Sequence, residues 1–229
     1  KALIIDSAGG WRQSNNPRHL GYGVVPKRIE DILSTSDDEI KFVLDGTSEL
    51  FDTYTHNIPV PVAHDKHPYY AKATLCYFPH CERSQGVDYT STEISMTFGR
   101  LKGEKILPID NNTQDFEGSF TYEEEARQFF RKWDNVKRIA EKINPRGRGK
   151  DSYENGLWGI SLKTKERLDE NFGTGMRFGL IVTLHAIDGV NRIDDFVQRC
   201  SFRAWIVNRI NVETQVDIFN AAEQEIEFE

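Results

Sequence analysis

The sequence predicts a mainly β fold, an antiparallel β-sandwich of jelly-roll type, with one long helix and a short helical stretch at the N-terminus. Two observations carry this. Apolar and polar residues alternate with period two in two separate groups of short segments, the signature of half-buried strands. Between the groups lies a stretch whose apolar residues recur every three or four positions, the signature of a helix. Two sets of antiparallel strands can each bury one face only against the other, which a sandwich achieves.

The elements follow in order. Residues Ala2 to Ala8 are almost continuously apolar and suit a buried helix or strand, broken by Gly9-Gly10 and Asn15-Asn16-Pro17. Pro26 fits a first helical turn, and Ile29, Ile32 and Leu33 give the following helix one apolar face. The polar run Ser34 to Asp38 breaks the pattern, and a domain boundary is placed there, dividing residues 1–34 from 35–229.

Period two then takes over. Ile40, Phe42 and Leu44 form one strand, followed by Tyr54, Ile58 and Val60, then Ala73, Leu75 and Tyr77, then Ile94, Met96 and Phe98. The second group comprises Trp158 to Leu162, Phe178 to Leu184, Phe202 to Ile206 and Val212 to Ile218. Between the groups, Thr121 and Glu124 make a capping box, and Phe129, Trp133, Val136, Ala140 and Ile143 supply the apolar face of the long helix. Asn144-Pro-Arg-Gly-Arg-Gly-Lys150 ends it as an exposed loop.

Composition bounds the function. The 229 residues are 38% hydrophobic and 28% charged, with a formal net charge of -7, so the surface is acidic and nucleic-acid binding is disfavoured. No apolar run reaches the roughly eighteen residues of a membrane span. Three cysteines do not make a disulfide framework, which predicts a reducing, cytoplasmic setting.

Candidate sites are weighed residue by residue. Cys76, His80 and Cys81, with His64 and His67 nearby, offer soft zinc ligands, but the C-x4-C spacing is loose and Cys76 alternates as a small buried strand residue. Cys200 reads as core in the approach to a strand. Asp110 to Asp115 offers oxygen ligands for calcium, yet lacks the glycine and closing glutamate of an EF-hand loop and reads as an Asx-rich turn. Trp133 and Trp158 fall on apolar faces and read as core, whereas Trp205 is placed on an outer sheet face as a contact residue. Arg146, Arg148 and Lys150 read as a solvated loop. The six histidines show no paired metal-hydrolase spacing.

Lys1 to Ala8, Gly21-Tyr-Gly-Val-Val-Pro26 and Ile29-Glu-Asp-Ile-Leu33 together resemble the closing stretch of a subtilisin-like serine protease domain. The elements that follow, Ile40 to Asp45, Ile58 to Pro61 and Ala71 to Phe78, resemble in their order the β-rich C-terminal extension of a group of bacterial subtilisin-like peptidases. The resemblance implies that residues 1–34 are the remnant of a catalytic domain lying upstream and residues 35–229 an accessory sandwich. It implies as partners that protease domain and its protein or peptide substrates, with neither nucleic acid nor membrane. Gly46-Thr47-Ser48 matches the start of that family's nucleophile motif, but Glu49-Leu50-Phe51 follows where a small residue and a proline belong, and it lies after the domain-closing turn. It is read as a loop between strands. No residue is therefore carried over as catalytic, no cofactor or metal is expected, and the chain itself is expected to be inactive. A self-contained sandwich module binding carbohydrate or peptide is the alternative.

Overall fold

The structure is a computed structural model that describes residues 1–9, 22–49, 53–59, 68–79, 81, 92–102, 105–108, 134–143, 157–166, 175–189, 191 and 193–202. Helices α1 (Ala2–Ser7) and α2 (Ile29–Leu33) come first. Among the described residues eight strands follow: β1 (Glu39–Ser48), β2 (Thr53–Pro59), β3 (Tyr69–Tyr77), β4 (Thr92–Lys102), β5 (Lys105–Pro108), β6 (Val136–Ile143), β7 (Leu157–Glu166) and β8 (Met176–Ala186). Helix α3 (Ile193–Phe202) packs against β1 and β2.

The strands form two four-stranded sheets, ordered β1-β8-β3-β6 and β2-β7-β4-β5, and every pairing is antiparallel. The register explains the period-two pattern. Phe42 pairs with Val182, Val182 with Ala73 and Ala73 with Ile139, so one row of apolar side chains crosses the whole first sheet. On the second sheet Met96 pairs with Leu162 and Phe98 with Ile160. These inward residues, with Leu75, Ile94 and Trp158, belong to one buried apolar core to which both sheets contribute. Phe98 and Trp158 meet edge to face with ring centroids 5.2 Å apart, a geometry that adds to area burial.

The predicted long helix is corrected. Its first part, residues 121–133, lies outside the described residues, but Val136 to Ile143 is strand β6, paired with β3 from Cys76↔Val136 to Tyr69↔Ile143. A helical spacing of apolar residues loses here to a ladder of backbone pairing with β3 that runs the length of the strand. Phe202, expected to open a strand, instead closes α3, and Cys200 is buried on that helix rather than on a strand approach. The strand expected over Val212 to Ile218 lies outside the described residues. Gly46-Thr47-Ser48 forms the end of β1, not a loop, and Ser48 is fully buried in a hydrogen bond with Thr164 of β7.

Candidate functional site

The outer face of the first sheet is where the chain's polar chemistry gathers. Outward positions alternate with the core row, so Lys41, Thr183 and Lys72 share one register line and Val43, Ile181, Thr74 and Arg138 the next. Across this face lies the N-terminal segment. Ala2, Leu3 and Ile5 of α1 pack on Cys76, Val136 and Ile181. Gly9 and Val24 then form an antiparallel bridge, with N–H to carbonyl distances of 3.2 and 2.8 Å.

Asp6 is the centre of this contact. It is 1% exposed, and its carboxylate accepts from the Thr74 hydroxyl at 2.9 Å and the Thr183 hydroxyl at 2.8 Å while Lys72 Nζ lies 3.2 Å away. Lys72 also donates to the Asp6 carbonyl at 2.5 Å. A carboxylate can be buried at tolerable cost only when its lone pairs are filled in this way. Burial holds the Lys72 ammonium below its ordinary range; Asp6 opposes that shift and Arg138 adds to it.

Two further cations fasten the segment. Arg138 donates to the carbonyls of Tyr22 at 3.1 Å and Ala8 at 3.3 Å and stacks 5.4 Å from the centre of the Tyr22 ring. Lys41 donates to the carbonyls of Ile32 at 3.4 Å and Ser34 at 3.1 Å. Lys41, Lys72 and Arg138 thus each donate to carbonyl oxygens of the N-terminal segment.

The segment turns apolar side chains outward as well. Ile4, Val24, Val25 and Ile29 are exposed, as is Val43 of β1. At the end of the sheet His185 Nδ1 lies 3.7 Å from Asp38 and 3.9 Å from Glu39, with Tyr70 opposite it in register. In the interior, Lys137 Nζ lies 2.5 Å from Glu93 Oε1, and both side chains are essentially inaccessible. Beside them Tyr77 donates to the Asp134 carbonyl at 2.6 Å, and burial together with the Glu93 charge keeps its phenol protonated far above the ordinary range.

The residues singled out from the sequence separate cleanly. Cys76 is buried under α1 and its thiol is pushed up by burial, whereas Cys81 is exposed with its Sγ near the Pro79 carbonyl. His64, His67, His80, Asp110 to Asp115, Trp133, Arg146, Arg148, Lys150 and Trp205 lie outside the described residues. Trp158 is in the core, as expected. Among the described residues no three His, Cys, Asp or Glu side chains come together as a metal site requires. Also among the described residues, no helix is long and apolar enough to cross a membrane. Two residues of the site, Asp6 and Lys137, give little signal in the sequence. Asp6 sits in a run whose apolar residues dominate the pattern, and Lys137 falls in the stretch of helical spacing although it shares strand parity with Ile139.

No family model matches the chain, and no curated protein matches it. A solved structure of tomato aspermy virus aligns over 81% of this chain and 92% of that one, at 11% identity and a TM-score of 0.26, a score too low to bear on fold or role.

Proposed function

We propose that the chain is a jelly-roll sandwich, with eight strands among the described residues, that works by protein contact, as a subunit assembling with copies of itself into a larger coat or shell. The observation that carries this is the strand order. Sheets ordered β1-β8-β3-β6 and β2-β7-β4-β5 are what a ribbon of paired strands gives when it is rolled into two Greek keys, an architecture used by coat-forming, sugar-binding and small-ligand-binding proteins. A small-ligand site inside the roll needs space between the sheets. Here Leu75, Ile94, Phe98 and Trp158 occupy that space as packed core. What remains is surface, and among the described residues its exposed apolar side chains are Ile4, Val24, Val25 and Ile29 of the N-terminal segment, Val43 of β1 beside it, and Phe78 and Ile187 just beyond β3 and β8.

Light scattering of the purified chain across a range of concentrations, followed by electron microscopy of the heaviest fraction, tests this. Discrete assemblies of many copies support it. A chain-sized monomer at every concentration counts against it.

A second reading has its own support. Ile4, Val24, Val25 and Ile29 belong to the stretch that resembles the end of a subtilisin-like domain, and exposed apolar side chains there suit a domain packed upstream. On that reading the chain is a non-catalytic accessory domain that stabilises a serine endopeptidase or recruits its protein substrates. Labelling of the native protein by a fluorophosphonate probe at a serine upstream of Lys1 supports it; native protein of chain size that takes no label removes it. The anchorage of α1 by Asp6 favours the first reading, because it makes residues 1–9 an integral layer of this sandwich.

A further inference from the structure

We propose that Lys137 and Glu93 form a side-chain-to-side-chain amide, a covalent staple between the two sheets. The placement of the pair carries the idea. In the first sheet Leu44 pairs with Leu180, Leu180 with Leu75 and Leu75 with Lys137, so the ammonium ends a row that is otherwise leucine and points into the core. Glu93 is the second residue of β4 in the other sheet, and its carboxylate meets Lys137 at 2.5 Å with both side chains at most 1% exposed. An ion pair taken fully out of water is a weak source of stability, since an apolar pair of similar volume does as well or better. A nucleophile held in contact with an acyl group in a dry interior, however, is an arrangement with chemical consequences.

The reaction balances within the pair. The ammonium passes one proton to the carboxylate, giving a neutral amine and a carboxylic acid. The nitrogen lone pair attacks the carboxyl carbon; the new N–C bond forms, the C–O bond to the protonated oxygen breaks, and that oxygen leaves as water with a second proton from the nitrogen. No oxidant, metal or further reactant enters. In water such a condensation is held back by bringing the groups together and by the abundance of water. Here folding has already done the first, where intramolecular effective molarities reach on the order of 10⁵ M or more, and the core excludes the second. The product removes two buried charges and ties the edge strand β6 of one sheet to β4 of the other.

Intact mass of the full chain, measured under denaturing conditions after folding, reads this directly. The expected mass is one water below the sequence mass. Asp45-Gly46 and Asp188-Gly189 can also lose water by cyclising, so fragmentation must place the loss on a branched peptide joining the segments that hold Glu93 and Lys137. Lys137→Arg should restore the full mass. Recovery of Glu93 and Lys137 in separate linear peptides from folded wild-type protein overturns the proposal, whatever the variant does.

Discussion

Asp6 and Thr183 stand 177 positions apart in sequence and share a 2.8 Å hydrogen bond beneath α1. That bond joins α1 to β8, and with Thr74 and Lys72 it makes one carboxylate the common acceptor of three side chains from two neighbouring strands. Replacing Asp6 with alanine strands two buried hydroxyls and a largely buried ammonium. The expected loss is about 3 kcal/mol in urea unfolding, the range for breaking a buried charged pair. Amide exchange should rise first in residues 2–8. An Asp6→Ala protein as stable as wild type would show that α1 contributes nothing to the fold.

Gly23 makes a sharper test of the same segment. Its φ of 125° belongs to glycine, and a Cβ there would run into the backbone of Gly9 across the bridge. Gly189, with φ of 68°, has open space around the missing Cβ. Gly23→Ala is therefore expected to cost at least about 2 kcal/mol and to loosen residues 1–9, while Gly189→Asn stays within about 0.5 kcal/mol because asparagine tolerates the left-handed region. Thermal melts of the two variants side by side decide it.

Alkaline unfolding should carry a thiol signature. Burial raises the Cys200 thiol from 9.0 to about 11. An acid whose folded value is raised contributes stability that is complete below its unfolded value and lost as pH climbs through the folded one, so this contribution declines between pH 9 and about 11. Tyr77 acts in the same direction from still higher pH. Lys72 acts in the opposite one: its folded value is lowered, so its contribution is present above 10.5 and lost as pH falls through the folded value. Cys200→Ala should flatten the fall in denaturation midpoint between pH 9 and 11 relative to wild type. An unchanged slope would mean that the thiol is not shielded by α3.

Trp158 should be the costliest single truncation in the core. It is 1% exposed and set edge-on against Phe98, and Trp158→Ala is expected to lose about 4 kcal/mol, compared with about 1 to 2 for Trp158→Phe. Chemical denaturation of both variants reads this out. Equal losses would show that ring volume at this position is not what packs the sheets.

The strands are legible in the sequence where the face turned to the core is uniformly apolar and the other face is mixed. Phe178 to Leu184 and Ile94 to Phe98 alternate because their sheets present a core face and an outer face, and sequence records that difference. Strand β6 is not legible. Val136, Ala140 and Ile143 carry helical spacing by coincidence, and the residue that betrays the strand, Lys137, is charged and faces inward. Strand β5, only Lys105 to Pro108, is too short to show a period at all. Around Asp6 the obstacle is different. Thr74 and Thr183 read as ordinary outward strand residues, and nothing local says that a carboxylate from the far end of the chain will sit between them.

The placement of β1 beside β8 also governs when the molecule can become itself. Glu39 cannot find His185, nor Phe42 find Val182, until nearly all the intervening chain has been made. Each β1 contact closes a very long loop, and topologies dominated by such contacts fold slowly. During synthesis β1 must wait with both edges unpaired, since its partner β8 leaves the ribosome after the other seven strands among the described residues. The interval before β8 arrives is the period in which a nascent chain is most open to pairing with the wrong neighbour.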